Sequence, residues 1–217
     1  MNAHTQTRLL PGPQGAREVA IDEPVQPRAG GGLALIAHPH PLFGGTLHNK
    51  VVQTLARAHV QQGWRVLRFN FRGVGASAGV HDHGVGETDD LLALLQFEAA
   101  HGPLALAGFS FGAYVVLRAL ERLPAQRLPQ SVLLVGAAAS RFELPVLPAE
   151  LHDCTALLHG ETDDTVPLAA VLDWARPQSL PVTVVPGVEH FFHGRLGLLK
   201  ALTLRHLRAC EPASFKP

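Results

Sequence analysis

The sequence predicts an α/β protein: a mainly parallel sheet with helices on both faces. Two observations carry this. Short, continuous apolar runs such as Leu33–Ala37 and Leu104–Phe109 alternate along the chain with longer segments whose apolar residues recur at helical spacing. One junction between the two kinds reads Gly108, Phe109, Ser110, Phe111, Gly112, a sharp strand-to-helix turn with serine at its tip. In such sheets ligands bind at the carboxyl ends of the strands, so the loops there are where chemistry is expected.

Taken in order, Thr5–Leu10 and Ala16–Asp22 flank a Pro/Gly connection and read as two short edge strands. Leu33–Ala37 is apolar throughout, as a strand covered on both faces would be. Asn49–Gln62 carries Val51, Val52, Leu55, Ala56 and Val60 at helical spacing and stops at Gly63. Trp64–Phe71, rich in aromatic and β-branched residues, is a strand. After a glycine-rich loop, a helix is expected over Glu87–His101, with Glu87, Asp89 and Asp90 favoured by the dipole of its first turn. The alternation continues with strand Leu104–Phe109, helix Phe111–Leu123, strands Ser131–Ala137 and Thr155–His159, helix Pro167–Ala175, strand Val182–Val185 and helix Arg195–Ala209. One domain over residues 1–217 is expected from the length.

The turn around Ser110 has a geometric logic. Lifting a hydroxyl clear of a sheet strains the central residue, and neighbouring chain then passes so close that positions two before and two after carry almost no side chain. Gly108 and Gly112 meet that demand. A serine hydroxyl is inert at neutral pH unless a base takes its proton, and the usual base is a histidine oriented by a carboxylate. Both partners are expected after later strands. The turn Gly160, Glu161, Thr162, Asp163, Asp164, Thr165, Val166, Pro167 supplies two aspartates, and Gly187, Val188, Glu189, His190, Phe191, Phe192 supplies a histidine. Glu189 is a poor orienter, because adjacency to His190 turns the two side chains apart.

These three stretches, with the loops His38–Gly45 and Asn70–Ser77, resemble the α/β-hydrolase superfamily, in particular small lidless bacterial serine hydrolases. The resemblance implies an α/β-hydrolase fold of about eight strands with no cap domain. It assigns Ser110 as nucleophile, His190 as general base and Asp163 as the orienting acid, since the family's turn places the acid three residues after the glycine; Asp164 is the rival. The oxyanion donors are then the N–H of Phe111 and, from the loop after Leu33–Ala37, that of His40 or Leu42, because Pro39 and Pro41 have none. Analogy with the family's usual turn favours His40. Only 13 residues, Arg141–Asp153, separate Ser140 from Cys154, too few for a cap. An open, shallow site walled by Leu42, Phe43, Phe111, Phe191 and Phe192 is expected, suited to esters or thioesters of short to medium acyl chains. Acyltransfer or peptide cleavage would use the same residues, and a non-catalytic ligand-binding protein on this fold is the alternative of another class.

Composition narrows the partners. Eighteen basic and 18 acidic residues, spread without blocks, leave no footprint for nucleic acid or an anionic membrane, so a small neutral or apolar molecule fits better than a polyanion. No cofactor is implied. His38 with His40, and His81 with His83, lack a third ligand at a metal-binding spacing and read as loop histidines. Cys154 and Cys210 lie far apart in sequence and read as reduced, incidental thiols, and no apolar segment suits a membrane span or secretory signal, so the cytoplasm is the expected compartment. Arg72 is expected to tie its loop down, and Asn70 stands where related hydrolases often carry aspartate, which weakens an ion-pair role there.

Overall fold

The computed structural model describes residues 5–98 and 102–211. Its chain opens with β1 (Gln6–Leu10), β2 (Arg17–Asp22), β3 (Leu33–Ala37), α1 (Lys50–Gln61), β4 (Arg65–Phe69) and α2 (Val85–Glu98). There follow β5 (Leu104–Phe109), α3 (Phe111–Leu120), β6 (Ser131–Val135), β7 (Thr155–Gly160), α4 (Leu168–Ala175), β8 (Val182–Val185) and α5 (Leu196–Ala209). The last residues of the helix expected to reach His101 lie outside the described residues.

All eight strands join one sheet in the order β1-β2-β4-β3-β5-β6-β7-β8. Pairings from β4 through β8 are parallel, whereas β1 with β2 and β2 with β4 are antiparallel. Only β1 of the opening pair is therefore an edge; β2 is covered on both sides, which corrects the expectation of two edge strands. Its residues explain why, since Val19, Ala20 and Ile21 are all buried and need covering.

Alternate side chains of the central strands feed two apolar layers. Leu33 and Leu35 of β3, Leu104 and Leu106 of β5, and Val132 and Leu134 of β6 pack with α2 and α3 residues on one face. Ala34 and Ile36, Ala105, Ala107 and Phe109, and Leu133 and Val135 pack on the other with Val51, Val52 and Leu55 of α1 and Leu199 of α5. Such two-sided cover is why these strands read as unbroken apolar runs.

The loops that carry function are tied down by buried polar groups. The Asp90 carboxylate, on α2, accepts hydrogen bonds from Arg17 Nη2 (2.8 Å) and from Arg72 Nε and Nη2 (2.8 and 2.9 Å), and all three side chains are buried. Arg72 thus anchors its loop across to α2, and Asp90 answers two guanidiniums rather than a helix dipole. Asn70 accepts from Leu47 N–H (2.8 Å) and donates to Glu18 Oε2 (2.8 Å).

Candidate active site

Ser110 sits between β5 and α3 with φ 57° and ψ −117°, a backbone conformation few non-glycine residues adopt. The turn is held there by contact. A Cβ at Gly112 would lie 2.3 Å from Ala37 O and 2.7 Å from His38 O, and one at Gly108 would lie 2.4 Å from Gly112 O. Consequently the start of α3 presses directly on the end of β3, and the loop that leaves β3 is positioned by the turn itself.

The side chains of Ser110, His190 and Asp163 form a hydrogen-bonded row. His190 Nε2 is 3.0 Å from Ser110 Oγ, and His190 Nδ1 donates to Asp163 Oδ2 at 2.6 Å. That bond puts the proton on Nδ1 and leaves Nε2 an acceptor facing the serine hydroxyl. Asp163 Oδ1 accepts the N–H groups of Thr165 (3.0 Å) and Val166 (2.7 Å), so the carboxylate is fixed at both oxygens. Asp164 is exposed and, among the described residues, bonds only its neighbour Thr165, at 3.4 Å. Glu189 accepts from Phe191 N–H (2.8 Å) and His193 N–H (2.6 Å), stiffening the loop that presents His190.

One further imidazole attends the acid, and the sequence reading did not single it out. His159, fully buried at the end of β7, donates from Nε2 to Val166 O (2.9 Å), and the same nitrogen is 3.5 Å from Asp163 Oδ2. Burial, against the pull of Asp163, holds His159 below the ordinary histidine range.

The loop after β3 folds on itself. His38 donates from Nδ1 to Pro39 O (2.6 Å) and accepts Phe71 N–H at Nε2 (3.0 Å); burial pushes its pKa down to about 3 and keeps it neutral. Leu42 N–H donates to His40 Nδ1 (3.3 Å), and Gly45 N–H to His40 O (3.0 Å). Gly45 lies against the loop's own carbonyls, where a Cβ would meet Pro39 O at 2.1 Å, so it serves the turn. Among the described residues, the N–H groups of His40 and Phe111 have no acceptor. Phe111 also opens α3, whose dipole directs positive potential toward Ser110.

Ser110 opens into a pocket of about 400 Å³ lined by His40, Phe43, Phe111, Arg141, Phe142 and Val166 among others. Of the five expected wall residues, Phe43 and Phe111 line it. Phe192 is a correction: with φ 56° it turns inward and packs, fully buried, with Val188 and Leu199 beneath the sheet. Leu42 points outward and is 68% exposed, while Phe191 lies against Phe109 and His190 (ring centroids 5.8 and 5.1 Å apart) outside the pocket. In their place the short segment after β6 contributes Phe142, stacked on Tyr114 at 4.5 Å and packed on Phe111 at 5.3 Å. It is a side wall, not a cap.

Three of the four loop histidines meet beside the pocket, while His38 is buried against Phe71. His40, His81 and His83 stand in a row with ring centroids 4.9 Å apart, and Glu87 Oε1 is 2.9 Å from His81 Nδ1. Burial and then His81 hold His40 below its usual range. Among the described residues no group of three or more His, Cys, Asp or Glu is arranged to hold a metal ion. Cys154 and Cys210 are free thiols brought together by the fold, Cys210 Sγ lying 3.8 Å from Cys154 O; burial raises both pKa values, that of Cys210 to about 11.

Strand order, helix placement and the absence of any insertion large enough to cover the strand ends define an α/β hydrolase without a lid, and the chain belongs to that family. It is 36% identical to the lidless α/β serine hydrolase XC6422 of Xanthomonas campestris, covering 100% of this chain and 99% of that one with a TM-score of 0.87. An α/β serine hydrolase homologue from Coxiella burnetii is 38% identical over 93% of this chain and 97% of its own, with a TM-score of 0.80. In sequence the chain is 42% identical over 193 residues to the uncharacterized protein RP471 of Rickettsia prowazekii, 83% of this chain and 79% of that protein. No protein-family model matches the chain. No helix among the described residues is long and apolar enough to cross a membrane.

Proposed function

We propose that the protein is a serine hydrolase that cleaves carboxylic esters or thioesters of short to medium acyl chains through an acyl-serine intermediate. The observation that carries this reading is the row Ser110 Oγ, His190 Nε2, His190 Nδ1, Asp163 Oδ2, with separations of 3.0 and 2.6 Å. In the first step Ser110 Oγ attacks the carbonyl carbon while His190 Nε2 takes its proton. Asp163 stabilises the imidazolium so formed. Negative charge develops on the carbonyl oxygen, and the unengaged N–H groups of His40 and Phe111 are the donors that meet it.

Collapse of the tetrahedral species expels the alcohol or thiol, which receives its proton from His190. Water then repeats the sequence on the acyl-serine and releases the acid. Phe43, Phe111 and Phe142 supply an apolar wall for a short acyl chain, and without a lid varied leaving groups are accommodated. The cytoplasm is the proposed compartment, in keeping with two unpaired thiols.

Labelling with a fluorophosphonate tests this. Wild-type protein should be labelled at residue 110 and Ser110→Ala should not; equal labelling of the two, with Ser110→Ala folded as judged by its melting temperature, contradicts the reading.

A further inference from the structure

The pocket that holds Ser110 also holds an unanswered cation. Arg141 lines it, yet its guanidinium has no hydrogen-bond or ion-pair partner among the described residues. Arg17, Arg68 and Arg72, by contrast, each meet a carboxylate at 2.8 Å. We propose that Arg141 recognises a carboxylate on the substrate, so that the favoured ester carries an acid group joined to the reacting carbonyl by a short apolar spacer. This deepens the hydrolase reading above and rests on it.

Three features support the assignment. First, the backbone that carries Arg141 is held while its side chain is exposed and free: Arg141 N–H donates to Ala138 O (3.0 Å), and the next residue, Phe142, stacks on Tyr114. A side chain borne on a held backbone costs less to order on binding than one on a loose loop, whose main chain must be fixed as well. Second, no carboxylate lines the pocket. Asp163 is buried and engaged by His190, Thr165 and Val166, and exposed Asp164 makes no ion pair with Arg141. Third, the amino end of α3 adds positive potential at Ser110, so the pocket favours an anion although the whole chain has no net charge. A planar guanidinium matches a carboxylate through two parallel N–H bonds, and Phe43, Phe111 and Phe142 provide the wall for the spacer.

The acid group can sit on the acyl side or on the leaving group, and paired esters distinguish the two. Steady-state kcat/KM is measured for wild type, Arg141→Gln and Arg141→Lys. The acyl-side pair is p-nitrophenyl butyrate and the p-nitrophenyl monoester of glutaric acid; the leaving-group pair is phenyl acetate and para-acetoxybenzoate. Arg141→Gln should lower kcat/KM about tenfold for the carboxylate ester of one pair and less than about twofold for its neutral partner. Arg141→Lys should fall between, and added salt should shrink the difference. If Arg141→Gln changes charged and neutral esters alike, or neither, while neutral turnover still depends on Ser110, this proposal fails and the hydrolase reading stands. Neutral ester turnover that is absent, or the same in Ser110→Ala, removes the hydrolase reading and this proposal with it.

Discussion

Replacing Gly112 by alanine should separate folding from catalysis. The added methyl carbon would stand 2.3 Å from Ala37 O, 2.6 Å from Ala37 C and 2.7 Å from His38 O, where ordinary contact begins at 3.4 Å. All three are backbone atoms, so no side chain can swing away. Relief requires the start of α3 and the end of β3 to part by about 1 Å, a strain of roughly 1–3 kcal/mol for an overpacked interior. The same displacement carries the loop bearing His40 N–H away from Phe111 N–H. Misplacement on that scale costs about 100-fold in rate, comparable to losing one oxyanion donor. Gly112→Ala should therefore remain folded, melt several degrees lower, and show kcat for p-nitrophenyl acetate down about 100-fold with a smaller change in KM. Thermal denaturation and steady-state kinetics on one preparation supply both readings. A variant with wild-type kcat and melting temperature would refute the claim that this contact sets the site.

The same geometry dictates the effects of other substitutions and of pH. Asp163→Asn removes the acceptor that holds the proton on His190 Nδ1 and should lower kcat by roughly three to four orders of magnitude, while Asp164→Asn should stay within about twofold; the reverse order would assign the acid to Asp164. Asp90→Asn leaves Arg17 buried without a counter-charge and Arg72 with only the more distant, exposed Asp82, 3.9 Å away. It should cost about 3–5 kcal/mol and lower the melting temperature by about 10 °C, and a shift under about 2 °C would contradict the buried network. His38 and His59 are buried, with pKa values lowered from 6.5 to about 3 and about 4, so both stay neutral when folded and take up protons on unfolding. Stability should thus be fully present above pH 6.5 and decline as pH falls from 6.5 toward 4, by up to about 1.4 kcal/mol per pH unit for each histidine. A urea midpoint unchanged between pH 6.5 and 4.5 would contradict this.

The parts of the molecule that were legible in the sequence are those where a local pattern and the fold demand the same residues. β3 and β5 read correctly because their side chains are buried on both faces, and the turn at Ser110 because close packing admits glycine alone at 108 and 112. Element ends were less legible. β6 stops at Val135 because Gly136 takes φ 53°, and α3 ends at Leu120 rather than Leu123. Loop side chains were least legible, because a loop has no periodicity to say which way a residue points. Phe191 and Phe192 are adjacent and chemically identical, yet one faces outward and the other is buried under the sheet. Phe142 and Arg141 come from a Pro-punctuated segment whose approach to Ser110 depends on strand order. The meeting of Cys154 with Cys210, and of His159 with Asp163, likewise arises only when distant segments are packed.

The most direct measurement is the mass of the enzyme quenched during turnover of p-nitrophenyl acetate, followed by peptide mapping. A transient acetyl group on the Ser110 hydroxyl, formed as rapidly as p-nitrophenol appears in a burst equal to the enzyme present, is the predicted result. Turnover without any covalent species, or with the acetyl group carried on another residue, would contradict nucleophilic catalysis at Ser110.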